Sequence, residues 1–374
     1  MYDQPLACFQ TLRDREALLQ PATLQLINQA VVKVGRELGV TEANRLRLDS
    51  TVTETNIHYP TDSRLLDDAA RVLSRWLKRA KRELRPQRTL RYHFRSRARQ
   101  AHRLARQLAQ HVRGKGKKAG KISPKLYRQL VGLVAALVDQ TTQVTAWLKA
   151  RPTPAARKVA RQLAHFAALA QRVIDQTERR VFAGETVPAE EKIVSLFEPH
   201  TAIIRRGKAE PHDTEFGCRV WFAEVDGGLV TEYMLQEGNP PDTDRVVPSV
   251  CQHRRLFGRV PKEVSGDRGT YSPGNEQVLR RLGVKRVSLP KPGHKDARRQ
   301  QREHQPWFKA AQRFRAGIEG RISQLRRARR LERCLNHGKP GLHRWIGWGV
   351  IANNLAQIAL WATKRTCRLV QLVA

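Results

Sequence analysis

Three carboxylates stand out in a chain whose charge is overwhelmingly positive. Asp49 follows the alternating stretch "RLRL" and precedes a run of hydroxyl residues, a proline and a helical pattern. Asp267 sits in "VSGDRG", where Gly266 and Gly269 leave room for a ligand to approach the backbone. Glu319 is the single acid among eight Lys and Arg between positions 309 and 331. Gly317 and Gly320 flank it within a helical pattern, each costing about 1 kcal/mol relative to alanine, as if something had to approach the backbone closely. Taken singly, each aspartate has an ordinary role as a turn or capping residue, and Glu319 an ordinary partner in Arg315 four positions away. Together they are the kind of oxygen donors that hard Mg²⁺ takes alongside water and substrate phosphate oxygens. Two such ions, with Mn²⁺ as a substitute, would activate a water or a 3'-hydroxyl and stabilise the leaving oxygen of an in-line attack on a phosphodiester.

The elements that must position these acids follow from periodicity. Leu46 and Leu48 alternate with arginines as in a half-buried strand ending on Asp49. "VPKEVSGDRG" reads as a short strand ending at Gly266 and Asp267, so both aspartates are expected at strand tips, where open α/β sheets collect ligands. "KIVSLF" (192–197), "EFGCRVWFAEV" (215–225) and "GLVTEYML" (228–235) read as strands, the last two joined by a hairpin at 226–228. A helix is expected over 242–257. Another follows Ser272 as N-cap and Pro273 as first helical residue, with Gly283 as its stop. "KRVSL" is one more strand, and two long helices, 306–335 and 341–366, complete a mixed α/β sheet covered by helices. Asp62, Asp67 and Asp68 read as partners of a helix N-terminus after Pro60. Asp242 and Asp244 read first as a helix start after "GNPP" and only second as neighbours of the site, while Glu54 and His58 are close enough in sequence to Asp49 to stand behind it.

Composition narrows the partner. The chain has 374 residues, 40% of them hydrophobic, enough for a real core, and 70 Lys and Arg against 34 Asp and Glu give a net charge of +36. So large an excess is readily compensated at close range only by a polyanion: nucleic acid first, an anionic membrane second. Residues 71–130 alone hold 21 Lys and Arg against Glu83. Leu73, Leu77, Leu84, Leu104, Leu108 and Val112 recur there at near-helical spacing, "RGKGKKAGK" (113–121) reads as a flexible basic loop, and helices are expected over 124–149 and 154–183. A solvated helix face normally interleaves acids, and this one does not. The five cysteines form no CxxC pair and are expected to be buried thiols; no HxH, HExxH or GxxxxGK[ST] occurs, so zinc hydrolysis and nucleotide use are not indicated. "WIGWGVIANNLAQIALWATKR" carries Asn353, Asn354 and Gln357 in its middle and reads as a buried helix of a cytoplasmic protein.

Four separated stretches, "LRLDSTVTETNIHYPTDS", "EFGCRVWFAEVDGGLVTEYMLQEGNPPD", "VSGDRGTYSPGNE" and "RFRAGIEGRISQLRR", together resemble the catalytic core of bacterial insertion-sequence transposases of the DDE type. The resemblance covers about residues 45–62 and 190–360. It implies an RNase H-like mixed sheet flanked by helices, with a large all-helical basic insertion after the first strand, and first and fourth strands lying side by side. It implies Asp49, Asp267 and Glu319 as metal-binding triad, with Arg315, Arg326 and Arg268 holding phosphates. The family's glutamate helix often carries a tyrosine where this chain has Gln312. The expected organisation is an N-terminal helical segment (1–44), the first strand and loop of the core (45–62), the basic insertion (63–188) and the rest of the core (189–374).

The function so implied is metal-dependent cleavage and strand transfer at the ends of an insertion sequence, on double-stranded DNA, as a homodimer on that DNA, associated with the nucleoid. Its rivals are an RNase H-like nuclease without strand transfer and an inactive DNA-binding remnant. Only 48 residues precede Asp49, and they offer one amphipathic helix with Leu24, Leu26, Ile27, Val31, Val34 and Leu38 on one side. The expectation is therefore a truncated copy with little preference for the element's ends, since a helix-turn-helix reader needs two helices.

Overall fold

The computed structural model describes residues 8–84, 94–113, 123–151, 153–205 and 214–373, without the side chains of 112–113 and 367–373. The expected basic loop beyond Arg113 and the Cys367 side chain lie outside the described residues. In chain order the elements are α1 (Phe9–Leu18), α2 (Pro21–Glu37), β1 (Arg45–Glu54), α3 (Asp62–Leu84), α4 (Ala98–Arg113), α5 (Pro124–Lys149) and α6 (Pro154–Thr177). Then come β2 (Ala202–Arg205), β3 (Thr214–Val225), β4 (Val230–Leu235), α7 (Thr243–Phe257), β5 (Glu263–Ser265), α8 (Pro273–Arg281), β6 (Arg286–Ser288), α9 (Ala297–His304), α10 (Pro306–Ala328) and α11 (Gly338–Val373). The chain is mixed α/β and divides into two compact units, Ile57–Ile203 and the remainder.

The sheet unit is built on β3, long enough to pair with β1, β2 and β4. Its alternation decides what covers the sheet. Trp221, Ala223 and Val225 join Leu46 and Leu48 of β1 against Val246 and Val250 of α7 and Leu279 of α8. Cys218, Val220 and Phe222 face the other way, against Leu325 of α10 and Leu342, Ile346 and Val350 of α11. Side chains two apart share a face and neighbours do not, so one strand feeds two cores. Fully burying a Leu or Phe contributes about 1.5–3 kcal/mol. β1 pairs antiparallel with β3 and parallel with β5, and β5 parallel with β6. The hairpin between β3 and β4 forms as expected, Gly227 and Gly228 taking positive φ at the turn.

Several expectations are corrected here. β1 does not end on Asp49: Thr51, Val52 and Thr53 keep pairing with Val220, Arg219 and Cys218 as far as Glu54. Over Arg45–Asp49 the expected alternation holds, buried Leu46 and Leu48 between partly exposed neighbours, and α10 packs over the polar face. Arg45 and Arg47 lie over the Phe314 ring at 3.9 and 4.7 Å. Two helices precede β1. α1 exposes Phe9, Leu12 and Leu18, and α2 buries Leu24, Asn28, Val32 and Gly35 while Leu26, Val34 and Leu38 stay exposed. The buried line follows Asn28, whose amide donates to the Val230 carbonyl. α10 stops at Ala328, short of the expected 335. Cys8 is exposed and Cys251 half-buried. No helix among the described residues is long and apolar enough to cross a membrane; Asn353 and Asn354 of α11 are fully buried, and Asn354 bonds Asn28 and Val230.

In the helical unit, Leu65, Leu73 and Leu77 of α3, Leu104 and Leu108 of α4, Leu130 and Leu137 of α5, and Leu163 and Val173 of α6 form one core. α6 gives way to a π-helical turn, Glu178–Phe182. "KIVSLF" is not a strand. Ile193 and Leu196 pack into this core, and the backbone finds side-chain partners instead of a ladder: Ile193 N–H donates to Gln176 Oε1, and Phe197 and Glu198 N–H donate to Ser195 Oγ. Asp62 stands in the first turn of α3, as expected, and also pairs with Arg180, while Asp67 pairs with His102, and Asp68 with His58 and Arg71. His58 thus belongs to this unit and partners Asp68.

Candidate functional site

Strand register brings Asp49 and Asp267 together. The last ladder pair between β1 and β5 is Arg47↔Ser265. Two residues further along each chain stand Asp49 and Asp267, close enough that the Asp267 charge acts on the Asp49 carboxyl. β1 continues here while β5 turns away into a short 3-10 turn, so Asp267 leaves the sheet beside Asp49. Asp267 also serves locally, its Oδ1 accepting from Thr270 N–H at 3.1 Å. Gly266 is glycine because a side chain there would strike Thr270, and that replaces the ligand expected at that glycine. Gly269 does face the acids: a methyl group on it would meet Asp267 Oδ1 at 3.3 Å and Asp242 Oδ2 at 3.7 Å.

Asp49 is held by α10. Its Oδ2 accepts from Arg315 Nη2 at 2.9 Å and its Oδ1 from Ser50 N–H at 2.8 Å. Burial pushes its carboxyl above the ordinary value, Arg315 opposes that, and the nearby Asp267 charge adds to it. The arginine is shared, its Nη1 donating to Glu319 Oε1 at 2.9 Å. Glu319 itself is 65% exposed and touches the site only through Arg315. The two glycines beside it part company. Gly317 makes room for the Arg47 guanidinium, whose Nη1 donates to the Phe314 carbonyl at 2.7 Å, and Gly320 faces open space. Gln312, where the resembled family often has tyrosine, ties α10 to the strand ends: its amide donates to Ser288 O and Oγ at 2.9 Å and to Gly266 O at 3.3 Å.

Asp242 is the member that sequence alone ranks low. It stands at the N-cap of α7 yet makes no side-chain capping bond. Its Oδ2 instead accepts from Arg219 Nη2 at 2.6 Å and Ser50 Oγ at 3.3 Å, while its Oδ1 is buried without a partner. Arg219 also donates to Asn239 Oδ1 and the Pro240 carbonyl, pinning the "GNPPD" loop to β3. Burial, first of all, and the charges of Asp267 and Asp49 push Asp242 up to about 6 against the pull of Arg219. Its only sequence signal is a proline-rich helix entry, which any capping aspartate would share.

Beside the acids opens a cleft of about 530 Å³ lined by Asp267, Arg268, Lys295, Phe308, Lys309 and Arg315. Arg268 and Arg315 both line this cleft. Arg326 does not: seven residues beyond Glu319, about 10 Å along the helix, it pairs with Glu215 and Glu332. Among the described residues no three His, Cys, Asp or Glu side chains are grouped to hold a metal ion. The donor chemistry still fits Mg²⁺, which commonly uses one or two carboxylates and fills the rest with water and phosphate: Asp49 and Asp267 stand side by side, and a buried oxygen of Asp242 is orphaned. Compared with protein-family models, curated proteins and solved structures, the chain matches none.

Proposed function

We propose that this chain is a DNA transposase of the DDE type that its motifs resemble, cutting DNA at the ends of an insertion sequence and joining the freed 3' end to target DNA. One observation carries the reading: Asp49 and Asp267, 218 positions apart, stand at matching positions where β5 leaves β1. The strand order supports it as well. Leaving the short β2 aside, β5 is the fourth strand and lies against the first, as an RNase H-like core requires.

Asp49 and Asp267 would hold Mg²⁺. Bound there, Mg²⁺ would activate the attacking water or 3'-hydroxyl and stabilise the leaving oxygen. The chain's own groups do the positioning. Arg268 and Lys309 on the cleft wall attract backbone phosphates, and Arg315 offers a guanidinium that a phosphate can share with Asp49. Ser50 fixes the Asp49 carboxylate through its N–H, and Gln312 holds α10 against both strand ends. The exposed bases of the helical unit supply the sequence-independent grip on the duplex.

A second reading, a DNA-binding protein without catalysis, is favoured by the same guanidiniums, since Arg315 and Arg219 already neutralise Asp49 and Asp242. Incubation with supercoiled DNA and Mg²⁺, followed by joining of a labelled 3' end, separates the readings. Cleavage and joining that vanish in Asp49→Asn and Asp267→Asn, with DNA affinity unchanged or slightly higher, are expected. Cleavage without joining would leave a nuclease, and DNA binding without either would leave the non-catalytic protein.

A further inference from the structure

We propose that the trough between α3 and α4 is a binding site for nucleic-acid backbone phosphates, one that takes up protons at His58 and His102 as it fills; this rests on the DNA reading given above. The trough consists of two adjoining cavities of about 540 and 630 Å³ that share Arg64, Asp67 and His102. α3 contributes Arg64 and Arg71 to it, and α4 contributes Arg99 and Arg106. Arg64, Arg99 and Arg106 make no ion pair among the described residues, and Arg71 has Asp68. Arg64 and Arg71 are seven positions apart, about 10 Å along the helix, farther than one phosphate can bridge. That length favours a backbone over a single small anion.

The acids in the trough set it apart from a plain basic surface. Between positions 63 and 130 the chain has three carboxylates, Asp67, Asp68 and Glu83, and two of them stand here, each on an imidazole. His102 Nδ1 meets Asp67 Oδ2 at 2.9 Å, and His58 Nε2 meets Asp68 Oδ2 at 2.8 Å. With neutral imidazoles the four arginines exceed the two aspartates by two charges, and protonating both imidazoles doubles that excess. A nearby opposite charge favours the protonated imidazole. The hydrogen bond to Asp68 already holds His58 above its ordinary value, against burial and the Arg64 charge. α5 and α6, packed into the same core, add no charged group to either cavity. A phosphate would therefore be the second anion facing each imidazole. Because such coupling is reciprocal, an anion that raises the proton affinity of the imidazoles is held more tightly once they are charged. Affinity for DNA must then fall as pH rises through the imidazole range, which a face of arginines alone would not show.

Fluorescence anisotropy of a labelled duplex of arbitrary sequence with the whole chain, at constant ionic strength and without divalent metal, tests this without cleavage. Wild-type affinity is expected to fall at least about fivefold from pH 6 to pH 8, and that of the His58→Gln, His102→Gln double variant less than about twofold. His111→Gln, on α4 outside the trough, should keep the wild-type pH dependence. Arg99→Gln with Arg106→Gln should flatten the slope of log K against log salt by about 0.9 for each phosphate released. A pH dependence that survives the double histidine variant or disappears with His111→Gln, or an unchanged slope in the arginine pair, would overturn the inference and leave DNA binding standing. No binding by the wild type at any pH would overturn the DNA reading itself. Inorganic phosphate or anionic vesicles displacing the duplex as well as unlabelled DNA does would assign the trough to another anion and sink the proposal. Should the double variant fail to fold, modification of the wild type by diethyl pyrocarbonate decides. DNA that shields His58 and His102 but not His111 supports the site, and equal modification of His58 and His102 with and without DNA refutes it.

Discussion

In the sheet unit, Arg47 and Arg321 converge on Glu224, a carboxylate with no exposed surface, and Arg299 and Arg302 converge on Glu276. In the helical unit, Arg75, Arg79 and Arg82 of α3 and Arg99, Arg103 and Arg106 of α4 are exposed, and none has an ion pair among the described residues. Both units are rich in arginine, and the residue does different work in each. Where a carboxylate meets the guanidinium out of water, the pair is part of the fold, and removing one partner strands a buried charge. Where a guanidinium is exposed and makes no ion pair, its loss strands no buried charge, and it can meet a phosphate.

Breaking the buried network should have the largest effect. Glu224→Gln leaves two largely buried guanidiniums without their counter-charge and should cost about 3–5 kcal/mol, read from urea unfolding. The matching experiment replaces Arg75, Arg79, Arg82, Arg99, Arg103 and Arg106 by glutamine. Each exposed change should stay within about 0.5 kcal/mol, while the slope of log K for DNA against log salt flattens by about 0.9 for every phosphate no longer neutralised. If the six cost as much stability as Glu224→Gln, or left the slope alone, the contrast between the units would collapse.

Smaller effects sharpen it. Gly320→Ala, with open space around it, should stabilise α10 by up to about 1 kcal/mol. Gly317→Ala should fail to gain, because its methyl would press on the Arg47 guanidinium; equal melting temperatures for the two would show Arg47 to be loosely held. Smallest is a pH effect in the helical unit. The hydrogen bond to Asp68 holds the His58 imidazole above its ordinary 6.5, with burial opposing. The stabilisation is therefore complete below about pH 6.5 and is lost as pH rises through the raised value. With the imidazole 44% exposed, it amounts to about 0.2–1 kcal/mol, and the melting gap between wild type and Asp68→Asn should narrow from about pH 6 to about pH 8.

How much of this was legible depended on whether the signal was local. Ser272, Pro273 and Gly283 announce α8 because a cap, a fixed φ and a positive φ are properties of single residues. The hairpin and the helical block were also within reach, and the resemblance implied the meeting of Asp49 with Asp267. "KIVSLF" misled because a short apolar run looks the same whether it pairs in a sheet or lies against helices, and only Gln176 and Ser195, waiting to satisfy its backbone, make the difference. Asp242 was underrated for the same reason. Its turn away from α7 depends on Arg219, which is distant in sequence. Glu319 stood out as a lone acid between two glycines and Arg326 through the resemblance alone, and neither signal says which way that helix faces.

The phase of β1 works as a parity bit. Even positions Leu46 and Leu48 enter the core under α7, and odd positions Arg45, Arg47 and Asp49 enter the polar layer under α10. Deleting one residue upstream of Asp49 would exchange the two sets and put arginines into oil. Deleting two would restore the core but carry Asp49 roughly 6.6 Å along the strand, away from Asp267. A single alignment satisfies both demands, so length changes in this strand will surface as proteins that do not fold or do not cut, with little ground between.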